Sequence, residues 1–175
     1  EIATAGRSLE PAERALGMQE AACARTPLAF VTSHPAPNGI ARADLPRIYS
    51  DPAARWADGS PLKVVMRAQS GSEPPYLASL VPGLRSAFDS AAQRQGMAIG
   101  ATDQQNAQLA GRIDGSFAMM TVLQLRSERL SLRTVPLDGV EPSVETLADG
   151  SYPFSLRICL ILPAQPTPGA LEVVR

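Results

Sequence analysis

The chain has 175 residues, of which 45% are hydrophobic and 19% charged, and its formal net charge is -1. This composition predicts ordinary globular structure and excludes the strongly basic surface that a nucleic acid or an anionic membrane would need. No apolar run reaches the roughly 20 residues that span a bilayer. Any anionic ligand must therefore be held by a local site. Arginines, which far outnumber the single Lys63, suit oxyanions, although a GC-rich genome would explain the same bias.

Runs of apolar and β-branched residues predict strands at residues 1–5, 28–32, 62–66, 116–122, 130–135 and 155–162. Helical spacing and capping residues predict helices at residues 8–23, 44–49, 80–91 and 106–113, with the first turn of another at residues 171–175. Prolines and glycine at residues 34–39 predict a linker or hinge exit. The alternation of strands and helices favours a mostly parallel α/β sheet, with ligand chemistry at the carboxyl ends of its strands.

Cysteines and histidine limit the chemistry that the chain can perform. Cys23 and Cys159 fit no metal-ligand spacing, so neither a metal nor a cofactor is expected. The two cysteines could form one disulfide or remain buried free thiols, and the sequence leaves both open. His34, the only histidine, lies in a proline-rich turn, where we expect it to be exposed or part of a hinge. A histidine-based triad and a glycosidase carboxylate pair both lack support, so we predict a binding protein and not an enzyme.

One candidate site begins at Arg67, which ends a buried strand and is followed by Ser70, Gly71 and Ser72 before a helix. Backbone N–H groups at a helix start, two hydroxyls and a guanidinium would together form an anion cradle, which Gly71 would allow a ligand to approach closely. A strand-to-helix loop with capping serines and a surface arginine explains the same pattern. Glu73 complicates the cradle, because an acid beside a bound anion is unfavourable unless it is protonated.

Four blocks of sequence resemble the phosphate-type solute-binding proteins of bacterial ABC importers. The blocks are residues 2–9 (IATAGRSL), residues 44–61, the Arg67 loop and residues 137–154, the last containing LDGVEPS and DGSYPF. Their order and separation match the family over nearly the whole chain. The Arg67 loop departs from the family pattern, because Gln69 replaces an acidic residue, the loop is one residue shorter and Glu73-Pro74-Pro75 is unusual after it. Arg7 also departs, since it stands where some members carry an aspartate that accepts a proton from monohydrogen phosphate.

The resemblance implies an α/β fold of the periplasmic-binding-protein type (type II), with two lobes joined by two hinge strands near residues 28–33 and 156–162. Residues 1–33 would be part of lobe I and the first hinge strand, residues 34–154 lobe II, and residues 155–175 the return hinge strand and a further part of lobe I. The family's opening strand and Gly-Ser phosphate loop would precede Glu1, and its last helices would follow Arg175.

The same resemblance implies a function and a set of ligands. The chain would be the solute-binding component of an ABC importer, periplasmic or otherwise extracytoplasmic, with phosphate or a related oxyanion bound between the lobes and a membrane permease as partner. Arg67, Ser70, Gly71 and Ser72 would form one wall, and Arg7, which could equally be a surface or capping charge, the other. A sensor or protein-interaction module that keeps the fold without a transport role is the alternative.

Overall fold

The computed structural model describes residues 2–174, which form two compact units. The larger unit is Pro27–Phe154, and the smaller one combines the described residues up to Thr26 with those from Ser155 onward. No helix in the described range is long and apolar enough to cross a membrane. The predicted strand at residues 1–5 and helical turn at residues 171–175 each include one residue, Glu1 and Arg175, that lies outside the described residues.

Strands and helices alternate along most of the described chain. The strands are β1 (Ala3–Ala5), β2 (Gln19–Thr32), β3 (Lys63–Arg67), β4 (Ala98–Gly100), β5 (Ser116–Thr121), β6 (Arg133–Val135) and β7 (Ser155–Leu162). The helices are α1 (Pro11–Ala15), α2 (Leu45–Ser50), α3 (Glu73–Leu80), α4 (Leu84–Ala92), α5 (Asp103–Arg112), α6 (Val122–Ser127), α7 (Val144–Ala148) and α8 (Pro168–Val173).

The larger unit is built on a mixed sheet in the order β6-β2-β5-β3-β4. Strand β3 is parallel to both β4 and β5, with Val65 opposite Ala98 on one side and Ala118 on the other. Strand β2 is antiparallel to β5 and to β6. The predicted α/β class is confirmed, whereas the prediction of a mostly parallel sheet is wrong, because β2 enters this sheet against the direction of its neighbours.

Alternation along the strands of the larger unit fills two separate cores. Ala29, Val31 and Ala118 point to one face, where they pack with helix α5. The alternate strand positions point to the opposite face of the sheet, where Phe30 stacks on Phe117 with ring centroids 4.9 Å apart. Burial on both faces explains why β3 reads as a continuous apolar run, as the sequence predicts for residues 62–66.

The smaller unit contains strand β1 paired with β7, which is the neighbour of the first part of β2. A disulfide joins Cys23 to Cys159 across β2 and β7, with Cα atoms 4.1 Å apart, and so decides a question that the sequence leaves open. The predicted helix at residues 8–23 is wrong beyond Ala15. Gly17 has φ of 80°, a left-handed conformation that ends a helix, and the alanine-rich segment after it is extended. Pairing with β7 outweighs the helix propensity of those alanines.

Two further helix boundaries differ from the sequence prediction, one beside a turn and one at a capping residue. The predicted helix at residues 80–91 begins only at Leu84, as α4, because Pro82 and Gly83 separate it from α3, which ends at Leu80. Helix α5 starts at Asp103, three residues earlier than predicted, because the Thr102 hydroxyl caps it by accepting from the Gln105 N–H. The short elements β4, α6 and α7 are absent from the sequence prediction.

Candidate functional site

Arg67 lies at the carboxyl end of β3, where the sequence predicts it, but its guanidinium is already engaged. Its Nε donates to Oδ1 of Asp103 at 2.9 Å, and one Nη donates to the carbonyl oxygens of Gly100 and Ala101 at 3.2 and 2.6 Å. Only 12% of the Arg67 side chain is exposed. These bonds fix the direction of the guanidinium, and they occupy N–H donors for which a bound anion would have to compete.

Ser70, Gly71 and Ser72 lie together between Arg67 and helix α3, as the motif predicts. In the described structure neither serine hydroxyl caps the helix or has another hydrogen-bond partner, so both are available as donors. The Gly71 N–H is not available, because it donates to the Ala68 carbonyl at 3.0 Å.

The start of helix α3 offers fewer backbone donors than an ordinary helix. Its second and third residues are Pro74 and Pro75, which have no N–H group. The expected contribution of helix N–H groups is therefore smaller than the loop pattern alone suggests. Hydroxyl groups and Arg67 must provide most of the attraction for an anion at this end of β3.

Glu73 places a carboxylate against the same loop. Its Oε2 is buried, has no hydrogen-bond partner among the described residues, and lies 2.8 Å from the position that a Cβ atom on Gly71 would occupy. Gly71 thus leaves room for the close approach of Glu73. Gln69, which stands at the family's acidic position, donates from Nε2 to Oδ1 of Asp89 at 3.1 Å.

Arg7 belongs to the smaller unit, where it binds the capping box of α1. Its two Nη atoms donate to the two carboxylate oxygens of Glu13 at 2.8 and 2.9 Å. This forked bond is the main reason that the pKa of Glu13 falls to about 2. The geometry favours the capping role that the sequence leaves open for Arg7 beside the anion role.

His34 lies in a second polar cluster, which the sequence does not predict. The side chain is only 8% exposed and stacks on Trp56, so the expectation of an exposed histidine is wrong. Its Nε2 lies 3.0 Å from Oδ2 of Asp58 and 3.1 Å from Oγ of Ser60. A groove of about 400 Å³ is lined by these three residues together with Lys63 and Asp114.

The His34 cluster has the composition of a hydrolytic triad but not its geometry. The Ala36 N–H donates to Nδ1 at 3.2 Å, so Nε2 carries the ring proton and donates it. A general base would need Nε2 unprotonated and facing the serine, with the carboxylate on Nδ1. Ser60 Oγ instead donates to Oδ1 of Asp58 at 2.7 Å, and this bond is the largest cause of the lowered pKa of Asp58, about 2. The cluster fastens the loop at residues 56–60 to the end of β2.

Comparison with known proteins identifies the family. A family model described as a PBP superfamily domain matches residues 2–174. The chain belongs to this family. The resemblance drawn from the four sequence blocks is thereby confirmed. No curated protein matches the sequence of this PBP-superfamily chain.

Several solved structures share the PBP-like fold with this chain. One is from Clostridium perfringens, assigned as a phosphate ABC transporter substrate-binding protein with bound phosphate, at 18% identity and a TM-score of 0.72, over 99% of this chain and 70% of that one. PstS from Borrelia burgdorferi follows at 17% identity and a TM-score of 0.61, over 99% and 71%. An ABC-type phosphate transport receptor from Vibrio cholerae has 15% identity and a TM-score of 0.59, over 98% and 70%.

Proposed function

We propose that this chain is a solute-binding component of an ABC importer and that it binds phosphate or a similar oxyanion. The observation that carries the proposal is the arginine at the end of β3, followed by two serines with free hydroxyls, in a chain whose PBP-family match spans residues 2–174. Solved structures with this fold are described as phosphate receptors, one of them with phosphate bound. Under this proposal Arg67, Ser70, Gly71 and Ser72 form one wall of the site, residues 34–154 form one lobe, and the chain delivers its ligand to a permease.

Charge-assisted hydrogen bonds are the physical basis of the proposed binding. An oxyanion offers acceptors to the Arg67 guanidinium, to the hydroxyls of Ser70 and Ser72, and to their N–H groups. Bonds to charged groups contribute about 1.5–3 kcal/mol each, enough for measurable affinity when several act together. The Asp103 carboxylate orients Arg67 while reducing its net attraction for the anion.

Calorimetric titration with phosphate, sulfate, molybdate and tungstate tests the proposal. The 175-residue chain is titrated as wild type, Arg67→Ala and Arg85→Ala. Arg85 is exposed on α4 and provides a matched loss of charge. Saturable binding that only Arg67→Ala weakens, by at least tenfold, supports the site. Binding that is equal in all three proteins contradicts it.

A sensor or protein-interaction module is the second candidate. Three observations favour it: Arg67 is engaged by Asp103, Glu73 places a buried carboxylate oxygen against the loop, and the Arg7 guanidinium is bound by Glu13. The two engaged arginines leave fewer donors free for an anion, and the Glu73 carboxylate would repel one. Absence of heat with every anion would favour this candidate.

An extracytoplasmic location forms part of the proposal. The Cys23–Cys159 disulfide supports it, because disulfides persist in oxidising compartments and are rare in the cytosol. Thiol labelling of the protein in intact and in lysed cells distinguishes the locations. We expect both cysteines to resist labelling until a reductant is added, and ready labelling of the native protein would contradict the location.

A further inference from the structure

A cavity of about 300 Å³ lies in the larger unit, at the opposite end of β3 from Arg67. Lys63 begins β3 and Arg67 ends it, so the two ends of the strand are on the order of 13 Å apart. The cavity is therefore separate from the loop considered above. Its lining combines charged and apolar side chains, among them Asp51, Leu62, Lys63, Arg94, Met97 and Ile113.

Two cations of this cavity lack a carboxylate partner. Neither Lys63, the only lysine of the chain, nor Arg94 lies within ion-pair distance of an acidic side chain in the described structure, whereas Arg7, Arg67 and others are paired. Asp51, the acidic residue of the lining, uses its Oδ1 to accept from the Ala53 N–H at 2.8 Å. The cavity thus carries a net positive charge.

Arg94 has a buried donor without an acceptor. One Nη donates to the carbonyl oxygen of Tyr49, which holds the side chain in place. Its Nε is buried and has no hydrogen-bond partner among the described residues. A buried donor left unpaired is costly, especially in a charged group, so Nε favours an acceptor in the cavity. An unpaired buried polar group of this kind needs an explanation, and an ion that accepts from it is one.

We propose that Lys63 and Arg94 bind a small oxyanion, a phosphate or carboxylate group, in this cavity. The ammonium and the guanidinium supply charge-assisted hydrogen bonds, and Leu62, Met97 and Ile113 form apolar walls. A volume of about 300 Å³ is at the lower limit of ligand pockets and restricts the occupant to a small molecule. The proposal does not depend on the Arg67 site, because the two sets of residues do not overlap.

Amide chemical shifts of the 175-residue chain at low ionic strength test the proposal. Inorganic phosphate and butyrate are added in separate titrations, which distinguish a phosphate ligand from a short carboxylate. We expect at least one anion to shift the amides of residues 95–98 saturably. Lys63→Gln should weaken this effect about tenfold. Arg85→Gln, which removes the same charge from the exposed face of α4, should leave it unchanged.

Three outcomes would overturn the second site: no saturable shift at residues 95–98 with either anion, equal weakening by Lys63→Gln and Arg85→Gln, or no change with Lys63→Gln. Arg94→Lys, which keeps the charge and loses the fork, provides a further variant whose folding is checked by its melting temperature. Shifts at residues 95–98 that persist in Arg67→Ala support this cavity whether or not residues 70–72 respond to phosphate. The proposed function and the second site can therefore fail independently.

Discussion

Arg67 and Asp103 form an ion pair of 2.9 Å between the carboxyl end of β3 and the first residue of α5. The Asp103 carboxylate is about half exposed, so water weakens its field at the loop without cancelling it. If an oxyanion binds beside Arg67, the two negative charges repel, by about 1 kcal/mol in a well-solvated site. Asp103→Asn should therefore raise oxyanion affinity a few-fold, measured by calorimetric titration.

The opposite result for Asp103→Asn would assign a different role to the pair. Weaker binding, similar to that of Arg67→Ala, would mean that Asp103 acts mainly by positioning Arg67, whose other bonds to the Gly100 and Ala101 carbonyls would then be insufficient. If neither Asp103→Asn nor Arg67→Ala changed the affinity, the oxyanion would not bind at this loop.

Glu73 provides a second electrostatic test of the same loop. Its unpartnered Oε2 packs against Gly71, where a bound anion would meet it. Glu73→Gln keeps the shape and removes the charge, so we expect tighter binding of sulfate, which has no proton to share. For phosphate, which can donate a proton to Glu73, the gain should be smaller. Equal gains for sulfate and phosphate in titrations at one pH would contradict a direct contact between Glu73 and the ligand.

Tyr49 and Tyr152 offer a matched pair of hydroxyl deletions. Both are buried, and burial raises the pKa of each phenol above its usual value. Tyr152 donates to the Leu28 carbonyl at 3.0 Å, whereas the Tyr49 hydroxyl has no partner in the described structure. Tyr152→Phe should therefore lower the free energy of unfolding by about 1 kcal/mol, and Tyr49→Phe should leave it unchanged or raise it. Denaturant unfolding measures both, and equal losses would refute the difference.

Acid should reduce the stability that the Asp58 carboxylate gives to the loop at residues 56–60, which contacts His34. The pKa of Asp58 is about 2 in the folded chain and 3.8 ordinarily, so the stabilisation is complete above pH 3.8 and is lost as the pH falls towards 2. Asp58→Asn should remove this part of the acid sensitivity and lower stability at neutral pH. Thermal unfolding across this range measures the effect. Asp114→Asn, at an exposed residue of the same groove, is the control and should keep the wild-type dependence.

Reduction of the disulfide should destabilise the smaller unit. Cys23 and Cys159 are 136 residues apart, and a cross-link over so long a loop typically contributes about 2–5 kcal/mol. Wild-type protein with reductant should match the Cys23→Ala/Cys159→Ala variant, and the reductant should not affect the variant. Denaturant unfolding followed in parallel provides the comparison, and a variant as stable as the oxidised wild type would contradict the prediction.

Sequence patterns predict the larger unit better than the smaller one. Strands β3 and β5 of the larger unit follow from apolar runs that the sequence shows directly. By contrast, Ala21, Ala22 and Ala24 favour a helix, and only their pairing with a strand more than a hundred residues later makes them extended. The motif at Arg67 is visible in the sequence. The sequence does not show that Asp103, which is 36 residues away, is the partner of Arg67. Thr102 and Gln105 do indicate the helix start at which Asp103 lies.

The His34 cluster and the cavity at Lys63 depend on tertiary structure in the same way. Their residues come from several separate segments, and no spacing in the sequence connects them. A lone histidine in a proline-rich turn gives no sign that Trp56 covers it. Residues whose roles depend on what packs against them cannot be assigned from local pattern.

The Leu28 N–H donates to the Phe154 carbonyl at 3.1 Å, so the larger unit begins and ends at one place. This closeness affects the order of folding. In the unfolded chain, Cys23 must find Cys159 across a long loop, at a high entropic cost. Once residues 27–154 have folded, the two ends of this segment are held together, and each cysteine is only a few residues from one of these ends. The loop that the disulfide must close is then effectively short. We therefore expect rapid oxidation of the two cysteines after the larger unit has folded, and not before.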